Sequence, residues 1–377
     1  MSGSIADTGL GSGQMVWRAP RVRFLANGTA IQGVTEVDIS ANNHYAADRF
    51  RAAVAIGADA LANAQFWAST ANILVDIQFS LDGGLTFVSL IQGLIDSVAM
   101  DVVSGMLYLE GRDLTSTLIE ARTQDTFANR TSSEIATMLA QRHGLTPVVT
   151  ATTTPVGRYY QSEHDRITLN QFSQSMTEWD LLVFLAGLEG FDVYVTGTSL
   201  HFEPPAAGAA LPVVMTPAML QELRLERSLT LARGIVVTVK SWNSRQQTAF
   251  AQTVRASGQS GAVGGPGEQF APPQQYVFVR PNLTMNDALT LAQKKLAELS
   301  VHERVWEAVM PGDLTLDPRS QVSLVGTGTD FDQIYYIDVI ERHFSPGRGF
   351  VQRVRAKNTS PRTQSTIPSD AVGAVTE

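Results

Sequence analysis

The sequence predicts an α+β fold that is mainly β, with two β-domains joined by a mixed helix and strand region and the second β-domain split by an insertion. Three observations lead there. Short apolar runs with period-2 alternation, punctuated by tight-turn dipeptides, lie on both sides of residues 111–205. Inside that stretch the pattern changes to capping boxes followed by apolar residues at helical spacing. Finally, a short Ile-Asp run with a β-branched residue two places after the aspartate occurs twice, an I-D-x-V-like match, as Ile95-Asp96-Ser97-Val98 and Ile337-Asp338-Val339-Ile340. Each follows an apolar strand and leads into a strand that reaches an arginine, Arg112 or Arg355. Duplication explains this repeat, and so does chance likeness between two hairpins, because the match is short.

Residues 1–16 are rich in Gly, Ser and Ala and predict a flexible N-terminus. The first β-domain covers 17–111. Its strands at 21–25 and 29–39 flank Asn27-Gly28, a dipeptide that tolerates the positive φ angles of a tight hairpin. Strands at 73–80 and 85–91 flank Asp82-Gly83-Gly84, and 94–98 with 106–110 complete a set typical of a sandwich or barrel. Residues 43–66, Ala-rich around Phe50, Val54 and Leu61, fit a helix or a long loop.

The middle region covers 112–212. Thr131 and Glu134 form a capping box for a helix whose buried face carries Ile135, Met138 and Leu139 and which Gly144 ends. Thr177 and Asp180 open a second helix with Leu181, Phe184, Leu185 and Leu188 at helical spacing before Gly190. A hairpin of 191–195 and 199–202 follows around Gly197, and Pro204, Pro205 and Gly208 mark a boundary.

The second β-domain uses 213–242 plus 305–357. Strands are expected at 222–229, at 234–242 where Ile235, Val237 and Val239 alternate with Val236, Thr238 and Lys240, and at 313–316, 321–325, 333–340 and 349–356. The insertion, 243–304, holds a Gly- and Pro-rich exposed loop over 256–275 and a helix capped by Thr284 and Asp287. That helix carries a stripe of Ala288, Leu291, Ala292, Leu296 and Leu299. Residues 358–377 predict a flexible tail.

Composition bounds the function. The 377 residues are 44% hydrophobic and 17% charged, which suits two or three packed domains. Without cysteine, neither disulfides nor thiolate metal sites can hold the fold. A net charge of −8, from 28 basic and 36 acidic residues, argues against a general nucleic-acid binder, which needs a concentrated positive surface. Only Lys240, Lys294, Lys295 and Lys357 are lysines. The arginine excess fits planar interface contacts, and a GC-rich genome accounts for it equally well. No basic-then-apolar leader and no run of ~18 apolar residues occurs, so a soluble product made in the cytoplasm is expected.

Reactive constellations are missing. There is no nucleophile elbow, H-E-x-x-H helix, phosphate loop or dinucleotide-binding turn. The six histidines are scattered, and His143 reads as a helix-end residue. His164 with Glu163 and Asp165 reads as a solvated turn, Asp330 and Asp332 as turn caps, and Glu178 and Asp180 as first-turn stabilisers rather than a glycosidase pair. Trp179, Phe184 and Phe191 have core spacing, although rings of this kind also stack on sugars. No catalytic, cofactor-binding or metal residue is assigned, no cofactor is expected, and the residues forming an interface are not identified.

Three runs carry a resemblance: G-R-D-L-T-x-x-L-I-E-A from Gly111, F-x-N-R-T-S-S-E-I-A-x-M-L-A-x-R-H-G-L from Phe127, and W-D-L-L-x-x-L-A-x-x-x-G-F-D-x-Y-V-x-G-x-x-L-x-F from Trp179. Together they resemble the late-control-D family of phage tail hub proteins, whose relatives include contractile-tail baseplate hubs and the hub part of type VI secretion spike proteins. The resemblance covers about a quarter of the chain. It implies two related β-barrels per chain and a homotrimer that adapts a six-fold tail tube to a three-fold spike. It implies as partners the tube or distal tail protein, the spike and the tape measure protein, at the tail baseplate of a virion, with no membrane insertion and no sequence-specific nucleic acid. In that scheme the β-domains line the ring, while the middle region packs outside and sets the spike-facing end. A tail-associated cell-wall hydrolase and a glycan-binding receptor module are the alternatives.

Overall fold

The computed structural model describes residues 18–57, 63–122, 125, 127, 129–153, 155–156, 177–205, 212–232, 234–243, 248–256, 273–280, 283–300, 303–358 and 365–366. The fold is mainly β. Its first strands are β1 (Arg21–Ala26), β2 (Thr29–Ile31), β3 (Val34–Asn42) and β4 (Arg49–Ala55). Asn27 and Gly28 take φ of 48° and 81°, as the hairpin between β1 and β2 requires. β4 settles part of the stretch that fitted helix or loop. Phe50, Ala52 and Val54 alternate inward, and the period-2 burial outweighs the alanines' helical propensity. A short helix, α1 (Ala64–Ser69), follows with Trp67 buried.

Next come β5 (Leu74–Ser80), β6 (Val88–Asp101) and β7 (Met106–Asp113). The strands expected at 85–91 and 94–98 are one continuous strand, because Ile91, Gly93 and Ile95 keep one inward face across the interval.

The middle region is a helix pair on a small sheet. After α2 (Thr115–Glu120), both expected capping boxes form, on α3 (Ser132–Arg142) and α4 (Glu178–Glu189). Gly190, at φ 73°, ends α4. β8 (Thr146–Val149), β10 (Ser199–Glu203) and β9 (Asp192–Thr196) form the sheet in that order. Leu139, Leu182, Leu185 and Phe202 lie in its core.

β11 (Val213–Met215) and β12 (Glu222–Arg227) return to the large sheet, followed by the short α5 (Leu229–Ala232). The strand expected at 234–242 also forms, as β13 (Ile235–Asn243), but outside that sheet. It sits between β14 (Thr248–Ala256) and β15 (Gln274–Val279), and α6 (Met285–Ser300) packs on the same face. The cause is its apolar face: Ile235, Val237 and Val239 meet Ala288, Ala292 and Leu296 of the helix stripe in a separate core. The insertion's own sheet therefore begins at β13. Of the expected loop, 257–272 lie outside the described residues, and β15 occupies its end. The expected flexible tail lies outside them too, except Asn358, which ends the last long strand, and β20 (Ser365–Thr366), which pairs with β14.

The chain ends its large sheet with β16 (Arg304–Pro311), β17 (Gln321–Leu324), β18 (Ile334–Ser345) and β19 (Gly349–Asn358). The strand expected at 313–316 is a turn instead. Asp313 Oδ1 accepts the backbone N–H of Thr315 and Leu316 at 2.7 and 3.0 Å, a local alternative to a ladder.

The large sheet has 13 strands, with the path β12-β16-β19-β18-β3-β4-β7-β6-β5-β1-β2 and with β17 and β11 attached at β18. Among the described residues this ladder does not close, so two separately closed barrels are not seen. The reason is β18. Its first residues pair with β17 and residues 339–344 with β3, which fuses the N-terminal and C-terminal strands into one ladder. Two cores lie within it, one around Phe24, Phe50 and Phe79, the other around Trp306, Tyr335 and Ile337.

Both I-D-x-V motifs fall on β-bulges. The β6·β7 register slips between Ile95 and Ser97, and the β18·β19 register slips between Ile337 and Val339, so each aspartate is the extra residue. Asp96 Oδ2 meets Arg112 Nε at 2.6 Å, and Arg112 stands opposite Leu94. In the second hairpin the matching place, opposite Tyr336, belongs to Lys357, whose Nζ lies 2.6 Å from Asp338 Oδ1. Arg355 is therefore not the counterpart of Arg112. The second hairpin has longer arms, and counting along the chain lands two residues short.

Candidate assembly surface

Three units meet around Asp48 and Asp113. Asp48 precedes β4 and Asp113 ends β7; Asn42 N–H donates to Asp48 Oδ1 at 2.9 Å, and the Asp113 N–H is given to the Asp48 carbonyl at 2.9 Å. Thr115 Oγ1 donates to Asp113 Oδ2 at 2.8 Å, while Oδ1 is buried with no hydrogen-bond partner among the described residues. Burial first, and then the neighbouring Asp48, push the Asp113 carboxyl up to about 8; burial pushes Asp48 up to about 6. From the C-terminal strands, buried Arg342 donates to the Leu316 carbonyl, and burial lowers its guanidinium to about 10.

The middle region is clamped to both sides of this junction. Trp179 Nε1 donates to the Tyr45 carbonyl at 2.7 Å, so the α4 start is tied to the β3–β4 loop. Arg319, just before β17, lies 3.6 Å over the Tyr194 ring of β9, and that ring stacks on His201 with centroids 4.5 Å apart. Lys294 of α6 donates to the Gly187 carbonyl at 2.6 Å. These contacts fit a rigid connector. Sequence reasoning missed Asp48, Asp113, Arg319 and Arg342; the one signal was Asp113 inside the G-R-D-L run.

Most of the residues weighed for chemistry have structural partners. Glu178, buried at the α4 start, accepts from Arg142 and faces His143 Nε2 at 2.6 Å, while Asp180 completes the capping box. The two carboxylates thus have separate partners. Asp332 accepts from the Thr327 hydroxyl and from the N–H groups of Thr327 and Gly328, and these hydrogen bonds, the hydroxyl's first, hold its carboxyl below the usual range. Asp330 lies 3.5 Å from Arg304. Trp179 is core, Phe184 is packed against that core, and Phe191 tilts against Phe202 at 5.4 Å. Glu163, His164 and Asp165 lie outside the described residues. An open groove of about 400 Å³ beside α3 has Ser133 and Thr137 on its wall, but Ser133 is tied to Thr152 and Thr137 to the Ser133 carbonyl.

One constellation was not legible in the sequence. His343 Nδ1 lies 2.8 Å from Asp38 Oδ1 and 3.7 Å from Glu36 Oε1, and His343 Nε2 lies 3.3 Å from Ser345 Oγ. The order Asp, His, Ser is that of an acyl-transfer triad, and the two carboxylates with the imidazole have the proximity of a cation site. Their setting is the outward face of the β18·β3 ladder, with both carboxylate side chains about half exposed. Neither the α3 groove nor the cleft around Asp48 includes them. Among the described residues no concave, desolvated site with convergent donors for an oxyanion surrounds them, and His343 and Asp38 form a cross-strand hydrogen-bonded pair.

Compared by sequence, the chain matches no protein-family model and no curated protein. Compared by structure, it is similar to a tail protein of Neisseria meningitidis MC58, at 17% identity and TM-score 0.63, with 91% of this chain and 99% of that one covered. It is also similar to the 43 kDa tail protein of prophage MuSo2 from Shewanella oneidensis, at 16% identity and TM-score 0.64, with 92% and 100% covered. A third likeness, at 10% identity and TM-score 0.54, covers 93% of this chain and 80% of an Escherichia coli type VI secretion component. That protein is described as structurally similar to the T4 bacteriophage tail proteins gp27 and gp5. The fold is thus of the tail and baseplate-hub type.

Proposed function

We propose that the chain is a structural hub of a phage tail baseplate, working as a homotrimer that adapts a six-fold tail tube to a three-fold spike. The observation that carries this reading is a correspondence of strands, on top of the tail-protein fold. In chain order and in sheet order, β3, β4, β5, β6 and β7 match β12, β16, β17, β18 and β19. The β13–α6 insertion falls between β12 and β16, where the N-terminal half has only a short loop. Each chain would then carry two related β-domains. Three chains would offer six near-equivalent surfaces, which answers a mismatch between six-fold and three-fold neighbours.

Within this reading the two β-domains build the ring, and the middle region, clamped at Trp179 and Tyr194, keeps them in fixed relation. Tube or distal tail protein, spike and tape measure protein are the partners, in the tail of a virion. The work of such a part is binding and positioning, with no bond made or broken. Size exclusion coupled to light scattering tests the proposal on the full chain, alone and with the spike. A mass of three chains is expected; a single-chain mass that persists with the spike present refutes it.

A further inference from the structure

Two rows of paired residues cross the large sheet in matching positions. In the N-terminal half Ile39 pairs with Phe50, Phe50 with Gly111, and Gly111 with Ile95. In the C-terminal half Leu225 pairs with Trp306, Trp306 with Ala356, and Ala356 with Ile337. The next link also agrees: Ile95 N–H donates to the Ile73 carbonyl and Ile337 N–H to that of Ser320, at 3.3 and 3.1 Å. The two halves therefore correspond residue by residue along these rows.

One link has no counterpart. Past its bulge, β18 pairs with β3, setting Arg342 opposite Ile39, His343 opposite Asp38 and Phe344 opposite Val37. Past the matching bulge, β6 has β7 on one side and, among the described residues, no strand on the other. The strand that corresponds to β3 is β12, and among the described residues it too has one paired edge and one without a strand. Six strands separate these two edges within the chain, so each needs another copy.

The internal junction supplies the register. Met100 stands five residues after Ile95, as Arg342 does after Ile337, so Met100 falls opposite Leu225. Val102 then faces Leu223, Asp101 faces Arg224, and Ala99 faces Glu226. The residues suit their places. Val102 and Met100 are 77% and 37% exposed, whereas Phe344 and Arg342, covered by β3, are 7% and 4% exposed. Leu223 and Leu225 are only half-buried against the C-terminal core. Asp101 against Arg224 sets an acid opposite a base, where the internal junction has Asp38 opposite His343, with the two roles exchanged between strands. A slip of one residue would turn every apolar side chain to the wrong face.

We propose that copies of this chain join through this repeated junction: the free edge of β6 in one copy pairs antiparallel with the free edge of β12 in the next. The inference rests on the hub reading and names its ring contact. Each chain supplies one junction within itself and one to its neighbour, and the head-to-tail contact closes after three copies.

Because the chain has no cysteine, introduced pairs report without background. The Ala99→Cys/Glu226→Cys chain places two thiols directly opposite, with Cα atoms ~4.5–5.5 Å apart and within disulfide reach. The Met100→Cys/Leu225→Cys chain samples the other face of the ladder. Mild oxidation should give cross-linked species of two and three chains and none larger, from at least one of these pairs. Ala99→Cys with Glu222→Cys, displaced by four residues or ~13 Å, should stay uncross-linked. Arg224→Asp alone should weaken association by ~10-fold or more, and unchanged association overturns the register. A three-chain mass by light scattering with neither matched pair cross-linking overturns the junction and leaves the hub reading standing. A single-chain mass overturns both.

Discussion

Replacing Asp113 by Asn gives the sharpest test of how the central junction is held. The carboxyl is buried beside Asp48, and among the described residues its Oδ1 has no hydrogen-bond partner. Its folded pKa of about 8 lies above the ordinary value of 3.8, so the folded protein favours the protonated form. The stability this confers is full below about pH 4 and is lost as pH rises toward 8. At pH 7 the unfolded chain ionises a group that the folded chain keeps protonated. The gap in pH units sets a ceiling of ~4 kcal/mol on the destabilisation, and ~2–4 kcal/mol is expected because Asp48 supplies part of the shift. Asn has the shape of the protonated acid and can still accept from Thr115. Denaturant unfolding followed by tryptophan fluorescence should give equal midpoints for Asp113→Asn and the parent near pH 4. At pH 8 the variant should be the more stable. A gap that stays constant with pH, or a parent that gains stability between pH 5 and 8, refutes the reasoning.

Three further outcomes follow from the packing. Gly111→Ala would drive a methyl group into the Phe50 ring and the Leu94 carbonyl, and a loss of ~1–3 kcal/mol is expected by denaturation; a neutral variant would show that the row from Ile39 to Ile95 is loosely packed. Trp179→Phe keeps the aromatic body and loses the bond to the Tyr45 carbonyl, which should cost ~1 kcal/mol and speed hydrogen exchange in the β3–β4 loop. If His343 and Ser345 serve only the ladder, a serine-reactive fluorophosphonate will not label the protein, and Ser345→Ala will leave its stability within ~0.5 kcal/mol. Stoichiometric labelling at Ser345 would bring the hydrolase alternative back.

Local chemistry made much of this fold readable. The boxes at Thr131 and Thr177 set helix starts through atoms three residues apart, and Asn27-Gly28 imposed its hairpin through φ alone. Long-range pairing was not readable in that way. The alanines around β4 have helical propensity, yet Phe50, Ala52 and Val54 find an inward face only when β3 and β7 flank them. β13 has the alternation expected of any half-buried strand, and nothing local says which sheet receives it; the stripe on α6 decides. The repeat was visible as I-D-x-V, but spacing along the chain paired Arg112 with Arg355, whereas the hairpins pair it with Lys357. As for the assembly surface, a free edge has no sequence signature, since β6 and β12 differ from β18 and β3 in what covers them rather than in kind.

The proposed ring has three copies of the chain, each with two corresponding β-domains. Electron-microscope projections of the purified assembly, averaged down its symmetry axis, test this most directly. Three-fold averages with six similar lobes around a central opening are predicted. A two-fold dimer, an open filament or a ring with any other number of lobes would contradict it.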